Sequence, residues 1–159
     1  NTMNYTTNID NSNNRIATSC NSTFNKDNII LSSNIYKKPS PFPLLDDIVI
    51  QLKGSIGGIK GEISGWTIYK SASNNNPPIY RIRYQILHNR YCNRIKRFHK
   101  SNHIQLEVDY YYGSCYQLCW DPECIGYKSD PIFISHEYIP DYKELCLLDG
   151  IDVDNLQLT

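Results

Sequence analysis

Two pairs of metal-type side chains constrain this chain most: Cys92 with His99 and Cys119 with Cys124, in the spacing C-x6-H and C-x4-C. Three thiols and an imidazole are a soft-to-borderline donor set, which suits tetrahedral zinc at a closed structural site. Between the pairs, Ile104-Gln105-Leu106-Glu107-Val108-Asp109 alternates with the period of a strand. After Tyr110-Tyr111-Tyr112-Gly113, the run from Cys115 to Leu118 can return beside it. A hairpin at this place brings the two pairs together. With protein groups at all four positions no site stays open for water, so the metal is a staple and no catalytic residue is expected at it. The competing reading is a set of reduced core cysteines with His99 a satisfied polar residue. Cys115 lies near Cys119, on the same strand face, and is expected to be a buried free thiol. Cys20 and Cys146 fall outside the cluster, and a disulfide framework is disfavoured because no secretory pattern opens the chain.

The remaining elements are coarser. Tyr80-Arg81-Ile82-Arg83-Tyr84-Gln85-Ile86 alternates with period two, so tyrosines and isoleucines face the core and Arg81, Arg83 and Gln85 form a basic outer face. Glu107 and Asp109 share a strand face. They can hold divalent ions for phosphoryl transfer in principle, but no accompanying set of acidic, histidine and basic residues surrounds them, and a solvated face is expected. Asp46 to Leu52 reads as a short amphipathic segment behind Pro41 and Pro43. Gly54, Gly57, Gly58, Gly61 and Gly65 suggest turns, without the strand-to-helix setting of a phosphate loop.

Formal net charge is zero, with 16 Lys and Arg against 16 Asp and Glu, yet the charges are segregated. No acid lies between Glu62 and Glu107, while Lys70, Arg81, Arg83, Arg90, Arg94, Lys96, Arg97 and Lys100 fall in that interval. From Asp121 onward acids dominate. Arg90, Arg94, Lys96, Arg97 and Lys100 surround the first ligand pair, where they can engage phosphates of DNA or of a nucleotide; the bland alternative is an ordinary solvated face. Tyr91, Phe98 and Trp120 are expected to form a small core around the metal rather than to stack on bases. His88, His103 and His136 lack a partner at metal spacing.

A chain of 159 residues fits one domain with room for flexible ends. Residues 1–39, crowded with Asn, Ser and Thr, read as a disordered linker. Residues 40–136 read as the metal-binding domain, and 137–159 as an acidic tail or partner-binding segment. The expected class is α+β, a small zinc-stabilised domain built on β-hairpins. The opening residue is Asn rather than Met, so the chain reads as a piece of a longer polypeptide. No apolar run reaches bilayer length, and an intracellular, membrane-free protein is expected.

These residues also carry a resemblance. Asn89-Arg90-Tyr91-Cys92, Arg97-Phe98-His99-Lys100-Ser101-Asn102, Val108-Asp109, Tyr116-Gln117-Leu118-Cys119-Trp120-Asp121-Pro122-Glu123-Cys124 and Lys128-Ser129 resemble the C-terminal zinc domain of the eukaryotic primase-polymerase family, shared with herpesvirus primase subunits. Ser40-Pro41-Phe42-Pro43, Asp46 and Gly58-Ile59-Lys60-Gly61 before Trp66 resemble the segment leading into it. The resemblance implies a module that contacts single-stranded template DNA and the initiating nucleotide during primer synthesis, in replication and damage tolerance. It implies an upstream catalytic domain using Mg2+ or Mn2+ for nucleotidyl transfer, which this sequence does not contain. It also implies a nuclear or mitochondrial setting. Asp149-Gly150-Ile151-Asp152 faintly resembles the acidic motifs by which that family recruits replication protein A; alternatively this tail completes the domain. The contrasting reading of the whole is a non-enzymatic zinc-stabilised interaction module.

Overall fold

The computed structural model describes residues 27–54, 57–72 and 77–155. Strands β1 (Asn28–Asn34), β2 (Glu62–Ser71), β3 (Tyr80–Leu87), β6 (Ile104–Asp109), β7 (Ser114–Cys119) and β8 (Ile132–Phe133) form one sheet in the order β1-β2-β3-β6-β7-β8. Every pairing is antiparallel. Strands β4 (Tyr91–Cys92) and β5 (Arg97–Phe98) make a separate two-stranded ribbon between β3 and β6. Two short helices, α1 (Pro43–Val49) and α2 (Tyr142–Leu148), complete an α+β architecture dominated by sheet. Among the described residues no helix is long and apolar enough to cross a membrane.

Alternation decides which sheet face is dry. Tyr80, Ile82, Tyr84 and Ile86 all point to one face, where the register sets them beside Trp66, Ile68, Leu106 and Val108. Leu45 and Val49 of α1 and Leu145 and Cys146 of α2 join the same buried cluster. Helix α1 starts where Pro43 supplies a preset φ at the first turn. The Asp46 carboxylate then fixes its approach to the sheet, accepting hydrogen bonds from Ser40 N (2.9 Å), Ser40 Oγ (2.5 Å) and Tyr84 Oη (2.8 Å). The Ser-Pro-Phe-Pro segment is thereby tied to the middle of β3.

The opposite face departs from expectation. Arg81 and Arg83 are not an open basic surface, and Glu107 and Asp109 are not solvated. Register places Arg81 opposite Asp109 and Arg83 opposite Glu107, and the ion pairs close at 3.3 and 2.7 Å. Glu107 also accepts hydrogen bonds from Tyr69 Oη at 2.5 Å and from Tyr116 Oη. The Lys128 ammonium lies 3.8 Å from the centroid of the Tyr116 ring. Opposite charges directly across strands attract, and here interlocking aromatic rings remove them from water. Burial, with the negative charge of Glu107, raises the phenols of Tyr69 and Tyr116 well above their usual range, so both act as donors.

The N-terminal end also differs from the sequence reading, whereas the tail completes the domain, the alternative given for it. Residues 28–34, inside the expected linker, pair with β2 as an edge strand, because an edge strand needs backbone partners more than a full apolar face. Gly65, expected in a turn, sits within β2 at a register shift where a Cβ would meet Asn34 O at 2.9 Å. At the other end the acidic segment folds back. Lys70 pairs with Asp149 at 2.6 Å, Tyr80 Oη donates to the same carboxylate at 2.8 Å, and Leu145 and Cys146 are buried. Cys20 and residues 1–26 lie outside the described residues.

Candidate metal centre

Each of the four ligands is positioned by a different local device. Cys119 ends β7, paired with Ile104. Cys92 stands in β4, which the wholly buried Gln117 of β7 holds in place: its Nε2 donates to Tyr91 O at 2.9 Å and its Oε1 accepts from Asn93 N at 2.8 Å. Asn89, also buried, braces the same ribbon by donating to Ile59 O and accepting from Tyr91 N. A tight turn with Lys96 N donating to Cys92 O at 2.9 Å reverses the chain, Lys96 taking φ 56°, and His99 N donates back to Arg90 O at 3.0 Å. Cys124 closes the 3-10 turn Pro122–Cys124, which starts at Asp121 with Pro at its first position.

The side chains of Cys92, His99, Cys119 and Cys124 converge, all buried, with their ligand atoms within 4.8 Å of one another. The Cys92 and Cys124 sulfurs are 3.8 Å apart, and His99 Nε2 lies 3.0 Å from Cys119 Sγ and 3.8 Å from Cys124 Sγ. A tetrahedron with metal–sulfur bonds of about 2.3 Å has sulfur–sulfur edges of about 3.8 Å, and its sulfur–nitrogen edges are about 3.6 Å. The cluster is thus of the right size to hold one metal ion. Burial pushes the Cys119 thiol up to about 12 and raises that of Cys124. Without a cation these groups stay protonated, and a divalent ion is what makes thiolates of them. Cys115 and Cys146 are buried in the main core, outside this cluster.

Behind the imidazole stands a group that sequence reasoning did not assign. His99 Nδ1 lies 3.1 Å from Asp121 Oδ2, which leaves Nε2 toward the sulfurs. Asp121 in turn accepts from Asn102 Nδ2 at 3.0 Å and Glu123 N at 3.0 Å. The first of these bonds, then the second, holds its carboxyl below the ordinary range. The signal was available: an Asp-Pro step two residues after Cys119 is a helix-start pattern, and its carboxylate is then fixed within reach of a neighbour.

Among the basic residues, Arg90 is half-buried and donates from its guanidinium to Lys100 O at 2.7 Å. It lines an open concavity of about 400 Å³ together with Ile59, His88, Phe98, His99 and His103. Arg94, Lys96, Arg97 and Lys100 are exposed. Arg94 is turned to the Glu123 carbonyl, and the charge of Arg97 contributes to lowering Asp121. Of the aromatics, Tyr91 and Phe98 meet edge-on at 5.3 Å, with Phe98 40% exposed. Packed against the cysteines, instead, are Ile95 and Tyr127.

Residues 75–136, which include all four ligands, match the family of Herpesviridae UL52/UL70 DNA primases. The DNA-directed primase/polymerase protein of Danio rerio is 38% identical over 88 residues, 55% of this chain and 15% of the relative. Those of Bos taurus and Homo sapiens are 35% and 36% identical over 111 residues, 69% of this chain and 17% of each relative. The matched part is therefore a small fraction of these relatives' length. No solved structure matches the chain.

Proposed function

Because the chain carries a domain of the DNA primase and primase-polymerase family, we propose that it is the zinc-binding module of a DNA-directed primase/polymerase, contacting template DNA and the initiating nucleotide. The observation that carries this reading is that a complete, buried Cys3His cluster lies inside the matched segment. Zn2+ fits it best: three thiols and one imidazole at tetrahedral spacing are a closed structural set. When bound, zinc cross-links β4, β7, the turn at 122–124 and the residue that follows β5, contributing on the order of 10 kcal/mol to folding.

What the protein's own residues do follows from where charge remains unneutralised. Of the eight cations between Glu62 and Glu107, Lys70, Arg81 and Arg83 face carboxylates on neighbouring elements. The other five, Arg90, Arg94, Lys96, Arg97 and Lys100, belong to the ribbon that holds Cys92 and His99. The metal thus sets the geometry of a basic ribbon, which binds the phosphates of single-stranded DNA and of the incoming 5′ nucleotide. Nucleotidyl transfer belongs to a separate catalytic domain using Mg2+ or Mn2+. The work of the whole protein is primer synthesis in replication and damage tolerance, in the nucleus or mitochondrion. Exposed Leu147 and Leu148 on α2, beside the acidic Asp149-Gly150-Ile151-Asp152, are the surface left for replication protein A.

The test is primer synthesis by a primase-polymerase carrying this domain. Arg90→Ala with Lys100→Ala lowers the frequency of new primers and leaves extension of a preformed primer unchanged. Equal loss of both activities overturns the assignment to initiation.

A further inference from the structure

Where β3 and β6 end beside the metal ribbon, the sheet face opposite the helices forms a second cavity, of about 210 Å³. Its wall includes Gln85, His103, Gln105 and Trp120, and among the described residues no Asp, Glu, Lys or Arg lines it. Two buried polar atoms on residues of that wall have no hydrogen-bond partner among the described residues: Gln105 Oε1, on a residue only 3% exposed, and Trp120 Nε1. Leaving a buried donor or acceptor unmade is costly, so an acceptor and a donor orphaned together describe what the cavity takes. Its occupant offers a donor to Gln105 and an acceptor to Trp120, carries no charge, and is small. Burial, and then the charges of Arg90 and His88, push His103 below the usual imidazole range, which keeps this wall neutral near pH 7.

The cavity adjoins the basic concavity. His103 lines both, and Arg90 and His88 line the concavity alone. A molecule spanning the two has an uncharged donor-and-acceptor ring at one end and an anion at the other, which is the chemistry of a nucleotide. We propose that the Gln105–Trp120 cavity is a nucleobase pocket, receiving the base of a nucleotide whose phosphates lie toward Arg90. The proposal rests on the reading of this domain as a nucleotide-contacting module and adds the site that holds the base. Trp120 and Gln105 thereby acquire a ligand-positioning role distinct from the phosphate contacts.

The test uses the metal-loaded chain, with nucleosides and nucleoside triphosphates as probes, and follows the two indole N–H signals by NMR. Trp66 is the internal reference, since its Nε1 already donates to Lys38 O at 2.9 Å. An uncharged nucleoside is expected to move the Trp120 signal saturably and independently of salt, while Trp66 stays still. Trp120→Phe, which removes only the donor and ring edge, weakens triphosphate binding about five- to tenfold, as loss of one hydrogen bond does, with metal content unchanged. Gln105→Leu does the same and serves should Trp120→Phe fail to fold. Arg90→Ala weakens the triphosphate and leaves nucleoside binding as it was. If the triphosphate binds through Arg90 while Trp120 is unmoved, the cavity holds water only and the base pocket is overturned, with the phosphate reading intact. If neither probe binds, both readings fall.

Discussion

Replacing Glu107 by Gln removes one negative charge from the middle of the sheet without changing the shape of the side chain. In the native protein that carboxylate is 4% exposed and receives hydrogen bonds from Tyr69, Tyr116 and, at 2.7 Å, the Arg83 guanidinium, itself 8% exposed. Gln keeps one acceptor oxygen but puts an NH2 where a second acceptor stood, and it takes away the charge that Arg83 faces. Breaking one side of a buried ion pair costs about 3–5 kcal/mol, against a total stability of about 5–15 kcal/mol for a domain. With a urea m-value of about 2 kcal/mol/M, the unfolding midpoint falls by about 1.5–2.5 M, a shift read from circular dichroism. The double variant Glu107→Leu with Arg83→Met is expected to recover only part of the loss, because it removes the unpaired charge but leaves the Tyr69 and Tyr116 hydroxyls without their acceptor. A Glu107→Gln midpoint within about 0.5 M of the native one would refute the claim that this carboxylate is the charged hub of the sheet.

Other consequences are more local. Asp121→Asn keeps the bond to Glu123 N but loses the charge behind His99, so metal affinity measured by chelator competition drops about ten- to hundredfold; unchanged affinity would show that Asp121 does not tune the site. Cys119 and Cys124 have raised thiol pKa values and are protonated when metal-free at pH 7, so metal capture expels their protons. Affinity therefore rises with pH near neutrality, and acidification releases the metal; a flat profile between pH 6 and 8 contradicts this. Gly57 has φ +82° and a Cβ there would lie 2.7 Å from the Tyr91 ring, so Gly57→Ala displaces the ribbon at Cys92 and lowers the thermal midpoint, whereas Gly58→Ala, with the same backbone demand and open space, costs less.

What the sequence made legible was periodic and local. The β6–β7 hairpin follows from alternation on both sides of Tyr110-Tyr111-Tyr112-Gly113, and with it the meeting of Cys92 and His99 with Cys119 and Cys124. The apolar face of β3 was equally plain. What could not be read depends on register between strands distant in sequence. Arg83 and Glu107 are opposite only because β3 pairs β6 across the inserted ribbon, and no count along the chain reveals that the two charges cancel. The same holds for Gln117, whose side chain carries the β4 ribbon from another element. Residues 28–34 lack an apolar period because an edge strand is held by backbone bonds. Spaced apolar residues in the tail allowed a helix there, but not which surface it would meet: Leu145 and Cys146 anchor α2 in the core and Asp149 answers Lys70.

Elemental analysis of the purified protein decides whether the four converging ligands hold one zinc ion. One zinc per chain, retained through dialysis and lost in both His99→Ala and Cys119→Ala, is the predicted result. A stably folded protein with no bound metal would contradict it.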